Sequence, residues 1–323
     1  MAAARSAVGT SLGVAAAAGL AALAWGTLVE RTMFTTRHET FAVLPPGATP
    51  ITILHLSDLH LAPWQEKKIE WVRSLAALKP DLVVNTGDNL GHDDAYDALE
   101  YALAPFQDVP GVFVNGSNDY FGPMLKNPFG YLVGPSKDPS AQPKQATELD
   151  TARMESYFQD GLGWINLNNA ADSVEINGSR IEFFGVNDAH RNWDKLGVLP
   201  RAIDEMRENV DWQEGVPADL TIGVTHAPYQ RVLNSFVTNG ADVILAGHTH
   251  GGQVRIPGVP ALVTNCDIPR AQASGISLWN HARSTAILNV SAGIGTSIYA
   301  PVRFACRPEA VVVTLTPAII GYS

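Results

Sequence analysis

"ITILHLSDLH", Ile51 to His60, decides the fold. Six largely apolar, β-rich residues run into Ser-Asp-Leu-His, the pattern of a buried strand that ends in a polar tip. A helix-period stretch follows, "EKKIEWVRSLAALK" (66–79), and then a second strand with a polar end, "DLVVNTGD" (81–88). The helix "DDAYDALEYALAPF" (93–106) and the strand "GVFVNG" (111–116) repeat the unit, so this region reads as successive β-α units of an α/β domain. Further along, "DSVEINGSRIEFFGV" (172–186) reads as a hairpin closed at Asn177-Gly178, which requires some antiparallel sheet. "ADLTIGVTHAP", "ADVILAGHTH", "STAILNVSAG" and "EAVVVTLTP" each supply a further strand.

Five strand ends carry the same kind of chemistry. They are Asp58 and His60 in "SDLH", Asp88 in "TGDN", Asn118 and Asp119 in "GSND", His226 in "THAP", and His248 and His250 in "GHTHGG". A lone Asp after a strand ordinarily caps a turn or helix, and a lone His is ordinarily a hydrogen-bonded side chain. Together they read differently, because open α/β sheets bind ligands at the carboxyl ends of their strands. Asp58-x-His60 and His248-x-His250 can each curl onto one ion, and the two oxygens of Asp88 can bridge two. Imidazole and carboxylate without sulfur suit Mn, Fe or Zn better than Ca or Mg.

In this order, D-x-H, G-D, a G-N-H-type element, H and G-H-x-H resemble the calcineurin-like metallophosphoesterase superfamily. "GHTHGGQVRIP" (247–257) and "GTSIYAPVRFACRPEAVVVTL" (295–315) further resemble its bacterial membrane-associated or exported branch. The resemblance implies a four-layer α/β/β/α sandwich of two mixed sheets, with a two-metal centre at the strand C-terminal ends. It implies that Asp58, His60 and His250 hold one divalent ion, that Asn118, His226 and His248 hold the other, and that Asp88 bridges them. The implied reaction is hydrolysis of phosphodiesters or phosphomonoesters by a metal-bridging hydroxide.

The third motif departs from the family pattern G-N-H-[DE], since this chain has Gly116-Ser117-Asn118-Asp119. A gapless match puts Ser117 on the ligand position. A one-residue slip makes Asn118 the ligand and is preferred, because an amide oxygen ligates better than a serine hydroxyl. The slip leaves Asp119 where the family has its proton-donating histidine, so Asp119 is the candidate proton donor, with metal-bound water or no donor as alternatives. His190 is a further candidate.

Composition bounds the partners. With 46% hydrophobic residues in 323 the chain can bury a large core, and 32 acidic against 22 basic side chains give a net charge of −10. That charge disfavours nucleic acid as a partner, though short oligonucleotides are not excluded. Cys266 and Cys306 read as small buried residues, with one disulfide as the alternative.

The N-terminus points to a membrane. Ala7 to Val29 is uncharged over 23 residues, long enough for a helix to span a bilayer. The reading is a single-pass anchor over 1–31, with a signal peptide cleaved near Ala22-Leu23-Ala24, or a buried helix, as alternatives. Arg5, Arg31 and Arg37 leave its orientation open, an extracytoplasmic domain being one outcome. A linker is expected over 32–50 and the metallophosphoesterase domain over 51–323, with a loop insertion at about 120–145, rich in Pro, Gly and aromatics, that would cap the substrate. The expected partners are a membrane and a phosphoester, amphiphilic in one reading. A catalytically quiet metal- or ligand-binding module of the same fold is the competing reading.

Overall fold

The structure, a computed structural model, describes residues 16–123, 147–209 and 217–318. Among these, the strands are β1 (Thr35–Leu44), β2 (Ile51–Leu56), β3 (Leu82–Asn85), β4 (Gly111–Phe113), β5 (Ile165–Asn166), β6 (Ala170–Ile176), β7 (Ser179–Gly185), β8 (Leu220–Thr225), β9 (Val243–Ala246), β10 (Gly275–His281), β11 (Ser284–Val290) and β12 (Glu309–Pro317). They form two six-stranded sheets, ordered β1-β12-β2-β3-β4-β5 and β10-β11-β9-β8-β7-β6. Both are mixed: β12 runs antiparallel to β2, and the hairpins β6-β7 and β10-β11 are antiparallel, while the central strands are parallel.

Side-chain alternation builds the layers. Ile51, Ile53, Leu82 and Val84 from the first sheet meet Ile181, Phe183, Ile222 and Val243 from the second in one buried core between them. The α-helices among the described residues are α1 (16–24), α2 (Glu66–Ser74), α3 (Tyr96–Leu103), α4 (Thr151–Ser156), α5 (Leu199–Asn209) and α6 (Gln230–Thr238). The opposite face of the first sheet, with Leu54, Leu56 and Val83, packs on Ile69 and Val72 of α2 and Leu99 of α3. The outer face of the second, with Phe184 and Ile244, packs on Ile203 of α5 (Leu199–Asn209) and Val232 and Phe236 of α6 (Gln230–Thr238). Strands buried on both faces read as unbroken apolar runs, which is why the sequence shows them clearly. The architecture is the expected α/β/β/α sandwich. The Asn177-Gly178 hairpin is present too, with both residues at positive φ (52° and 79°) as its tight turn requires.

The expected linker over 32–50 is corrected. Its centre is the ten-residue β1, paired in parallel with β12 from Thr35 opposite Glu309 to Leu44 opposite Pro317. Only Phe41 and Leu44 are buried on this edge strand, so its sequence alternates weakly. What holds it is a distant group: Arg37 reaches Glu309, at 3.1 Å, and Asn289. The edge strand β10 and the two-residue β5 likewise go beyond what the sequence pattern predicts.

Of the expected anchor, residues 1–15 lie outside the described residues. The described part is helical over residues 16–24, then makes a π turn (Trp25–Val29) and a 3-10 turn (Glu30–Thr32). Among the described residues no helix is long and apolar enough to cross a membrane. Most of the expected capping loop, residues 124–146, also lies outside them. Its two ends are pinned together, Gly122 N donating to Thr147 O (2.9 Å) and Leu149 N to Tyr120 O (2.9 Å). Both cysteines are free thiols.

Candidate metal centre

The parallel strands bring β2, β3 and β4 of one sheet, and β7, β8 and β9 of the other, to a common edge at their C-terminal ends. There the backbone turns sharply. Asp58, His60, Asp88, His248 and His250 all have positive φ, between 40° and 68°. Such a conformation in a residue with a side chain costs of order 1–3 kcal/mol and persists only where the surroundings impose it. Here they do: Asp58 N donates to Gly87 O (2.9 Å), His60 N to Asp88 O (3.0 Å) and Gly247 N to His226 O (2.9 Å). Gly293 lets the chain close over the site, since a Cβ there would lie 2.7 Å from that of Asp58.

The side chains then converge. Potential ligand atoms of Asp58, His60 and His250 lie within 4.8 Å of one another, and so do those of Asp58, Asp88 and His226. His60 Nε2 and His226 Nε2 each stand 3.5 Å from Asp88 Oδ2, which places this carboxylate between the two groups. His248 joins through Nδ1, 3.1 Å from His226 Nε2. The outward nitrogens fix the tautomers: His226 Nδ1–H donates to Thr86 O (2.8 Å) and His248 Nε2–H to Asn265 O (3.2 Å). That leaves lone pairs on His226 Nε2 and His248 Nδ1 pointing inward, the arrangement metal-ligating histidines need.

Two features fit a cation here. Asp58 Oδ1 is buried and has no hydrogen-bond partner among the described residues. Imidazole nitrogens also face each other pairwise, His60 Nε2 to His250 Nε2 at 3.3 Å and His226 to His248 at 3.1 Å. Two lone pairs at that distance repel unless a proton or an ion lies between them. The donor set of carboxylate and imidazole fits two divalent ions of the Mn, Fe or Zn type.

The titration of these groups agrees. Burial, with the neighbouring histidines, pushes His248 and His250 well below the ordinary value, so they stay neutral. Burial also disfavours charge on Asp88 and His226, but their mutual attraction outweighs it, holding Asp88 well down and His226 well up. Asp58, buried beside Asp88, is raised.

The third motif divides its residues. Asn118 reaches the centre, its backbone N donating to Asp88 Oδ1 (2.9 Å) and its Nδ2 to Asp88 Oδ2 (2.7 Å). Asp119 does not, which corrects its candidacy as proton donor. Its carboxylate is fully buried and accepts the N–H groups of Asp88 (2.9 Å), Asn89 (2.7 Å), Leu90 (3.3 Å) and Gly116 (2.9 Å). Burial and the Asp88 charge push its pKa up to about 7 while those N–H groups pull it down. With both oxygens committed to backbone donors, it shapes the Asp88 loop and faces no reacting atom.

A sixth strand end, that of β7, was missed apart from His190. Asp188 is fully buried there, one oxygen accepting His190 N (2.9 Å) and Oδ2 lacking a partner among the described residues. Burial raises its pKa to about 6, His226 opposing. The His190 ring lies 4.7 Å from that of His248, and its Nδ1 is 3.0 Å from Tyr229 Oη. Tyr120 Oη accepts from Asn115 Nδ2 (3.0 Å) and Asn187 Nδ2 (2.6 Å), tying the third motif to this end. The sequence signal was the polar run "NDAH" directly after the hairpin.

Two buried cations brace the other side. Arg303 donates to Gly293 O (3.0 Å), Gly295 O (2.6 Å) and His250 O (3.4 Å), with Nη2 3.3 Å from His250 Nδ1. Lys68 donates to Leu59 O (2.8 Å) and His60 O (2.9 Å), and burial with the nearby Arg303 and Arg31 lowers it to about 7.

Comparison with known proteins completes the picture. The chain is 29% identical over 212 residues to the uncharacterized protein YpbG of Bacillus subtilis, covering 65% of this chain and 64% of that protein. It is 24% identical over 295 residues to the uncharacterized metallophosphoesterase YkuE of the same organism, covering 89% and 86%. It is 26% identical over 228 residues to a transmembrane protein with metallophosphoesterase domain from Bos taurus, covering 69% of this chain and 45% of that one. The chain therefore spans less than two thirds of YpbG and of the bovine protein. The family model for Calcineurin-like phosphoesterase matches residues 51–252, a span that contains every expected ligand from Asp58 to His250. The chain belongs to the calcineurin-like phosphoesterase family.

Proposed function

We propose that this chain is a dinuclear-metal-dependent phosphoester hydrolase working at a membrane surface. The observation that carries this reading is the pair of ligand groups sharing Asp58, with an orphaned Asp58 Oδ1 at their junction. Two ions bound there would supply positive charge for the phosphoryl oxygens and an acidified water as nucleophile. Asp58, His60 and His250 would hold one and His226, His248 and Asn118 the other, with Asp88 between. Held carbonyls on the far nitrogens of His226 and His248 keep both rings in the ligating tautomer. With the third-motif histidine absent and Asp119 committed to the backbone, Asp188 and His190, buried at the end of β7 beside His248, are the remaining groups able to give a proton to a leaving group. The apolar N-terminal segment supports a membrane setting and an amphiphilic phosphoester.

The test is the full chain loaded with Mn and assayed on an aryl phosphodiester and an aryl phosphomonoester, beside His248→Ala. Metal-dependent turnover that the substitution abolishes is expected. Absence of such turnover on either ester would favour a quiet metal-binding module instead.

A further inference from the structure

The N-terminal segment is fastened to the domain beside the centre. Glu30, 5% exposed, accepts Cys306 N (2.7 Å) and Trp25 Nε1 (2.8 Å), and Arg303 N donates to Gly26 O (3.1 Å). Between this segment, the start of α2 and the loop Ile294–Thr296 lies a cavity of about 370 Å³. Its lining includes Arg31, Lys67, Lys68, Thr32, Thr296 and Trp64. The hydrogen bonds of the three cations go to neutral oxygens: Arg31 to Thr27 O, Lys67 to Thr32 Oγ1, and Lys68 to Leu59 O and His60 O. Among the described residues none of the three forms an ion pair, and Glu66 is the acid on the wall. Three basic side chains against one acid, in a chain of net charge −10, give this cavity a locally positive lining that suits an anion.

The rim indicates what carries that anion. Leu20, Leu23, Trp25 and Leu28 of the adjoining helical segment stand 46% to 72% exposed, and Trp64 at the mouth 60%. Apolar and Trp side chains flanking Lys and Arg are the composition of a surface that sits at the headgroup level of a bilayer. We infer that this cavity binds the phosphate of an anionic phospholipid, the exposed leucines and tryptophans entering the acyl region beside it. The site does not use the metal ligands and stands apart from the hydrolysis proposed above. Lys68 links the two places physically, since the ammonium on the cavity wall also holds the carbonyls of the Leu59-His60 loop.

The test uses the full metal-loaded chain in a non-ionic detergent, titrated by calorimetry with dihexanoyl-phosphatidylglycerol, dihexanoyl-phosphatidylcholine and inorganic phosphate. Phosphatidylglycerol should bind and phosphatidylcholine should bind at least tenfold more weakly. Each cation near an anionic lipid is worth about fivefold, so Arg31→Gln with Lys67→Gln should weaken phosphatidylglycerol about 25-fold and leave phosphatidylcholine unchanged. Lys67→Glu alone, at an exposed position, should weaken it at least about fivefold and serves if the double variant fails to fold. His248→Ala should bind phosphatidylglycerol as the parent does, whatever its hydrolytic activity. Equal affinity for the two lipids, or insensitivity to these substitutions, overturns the inference. Loss of lipid binding in His248→Ala would move the lipid to the metal centre, and inorganic phosphate binding as tightly as the lipid would make the ligand a free anion; either overturns it too.

Discussion

The two ligand groups of the centre are braced in opposite ways. Behind Asp58, His60 and His250 stand buried cations, Arg303 and Lys68, reached from the C-terminal loop and from α2. Behind His226 and His248 stand neutral carbonyls, Thr86 O and Asn265 O, and behind Asp88 the amide of Asn118. The difference lies in what each group can lose. A buried cation removed leaves several acceptors unsatisfied at once, whereas a carbonyl brace belongs to the backbone and survives most substitutions.

The largest expected effect follows directly. Arg303→Met leaves the carbonyls of Gly293 and Gly295 unpaired in a fully buried place and should cost about 3–5 kcal/mol in denaturant unfolding. Asn265→Ala, on the other side, keeps the carbonyl that His248 uses but loses the side-chain amide 3.3 Å from His248 Nε2 and puts Ala at φ 56°, so it should cost only about 1–2 kcal/mol. Equal costs for the two would break the comparison.

The next two effects separate the carboxylates of the second side. Asp188→Asn removes the acid at the end of β7 and should slow alkyl phosphoesters about 10²-fold more than aryl ones, because only poor leaving groups need general acid help. A uniform loss over both ester types would remove Asp188 from that role. Asp119→Asn should do the reverse, destabilising by about 2 kcal/mol through unsatisfied N–H groups while slowing aryl and alkyl esters alike. A loss confined to alkyl esters would restore Asp119 as the donor.

Much of this was legible in the sequence, and the parts that were not have a common cause. Asp58, His60, His226, His248 and His250 announced themselves because strands buried on both faces end abruptly in polar residues, a contrast that needs no partner to be seen. Strand β1 reads as a linker in the sequence because Arg37 is satisfied by Glu309 and Asn289, far away in the chain. Asp119 reads as a proton donor because the sequence shows its position in the motif but not its four backbone donors, three of them from Asp88 to Leu90. Asp188 passed unnoticed because a single Asp after a strand is ordinary, and only burial with an unpartnered oxygen distinguishes it.

The smallest effect per unit change tests how far the neutral brace extends. Arg37 Nη2 donates to Asn289 Oδ1 (3.0 Å), and because Arg can only donate, the amide NH₂ of Asn289 must face His55 Nδ1 (3.1 Å). His55 Nε2–H then donates to Thr86 Oγ1 (3.0 Å), and Thr86 O receives His226 Nδ1–H. The second ligand group thus rests on a neutral His55. Burial, with Arg37 adding to it, pushes His55 down to about 3 from an ordinary 6.5. The folded state therefore resists a proton that the unfolded chain accepts, so the stability from neutral His55 is complete above pH 6.5 and is lost as pH falls toward 3. Relative to His55→Asn, the parent should lose about 1.4 kcal/mol of unfolding free energy per pH unit below 6.5. Urea unfolding of both at pH 7.5, 6.0 and 5.0 measures that difference, and a gap that stays constant with pH would mean that His55 takes up its proton as readily in the fold as in the unfolded chain, so that the brace behind His226 does not depend on a neutral His55.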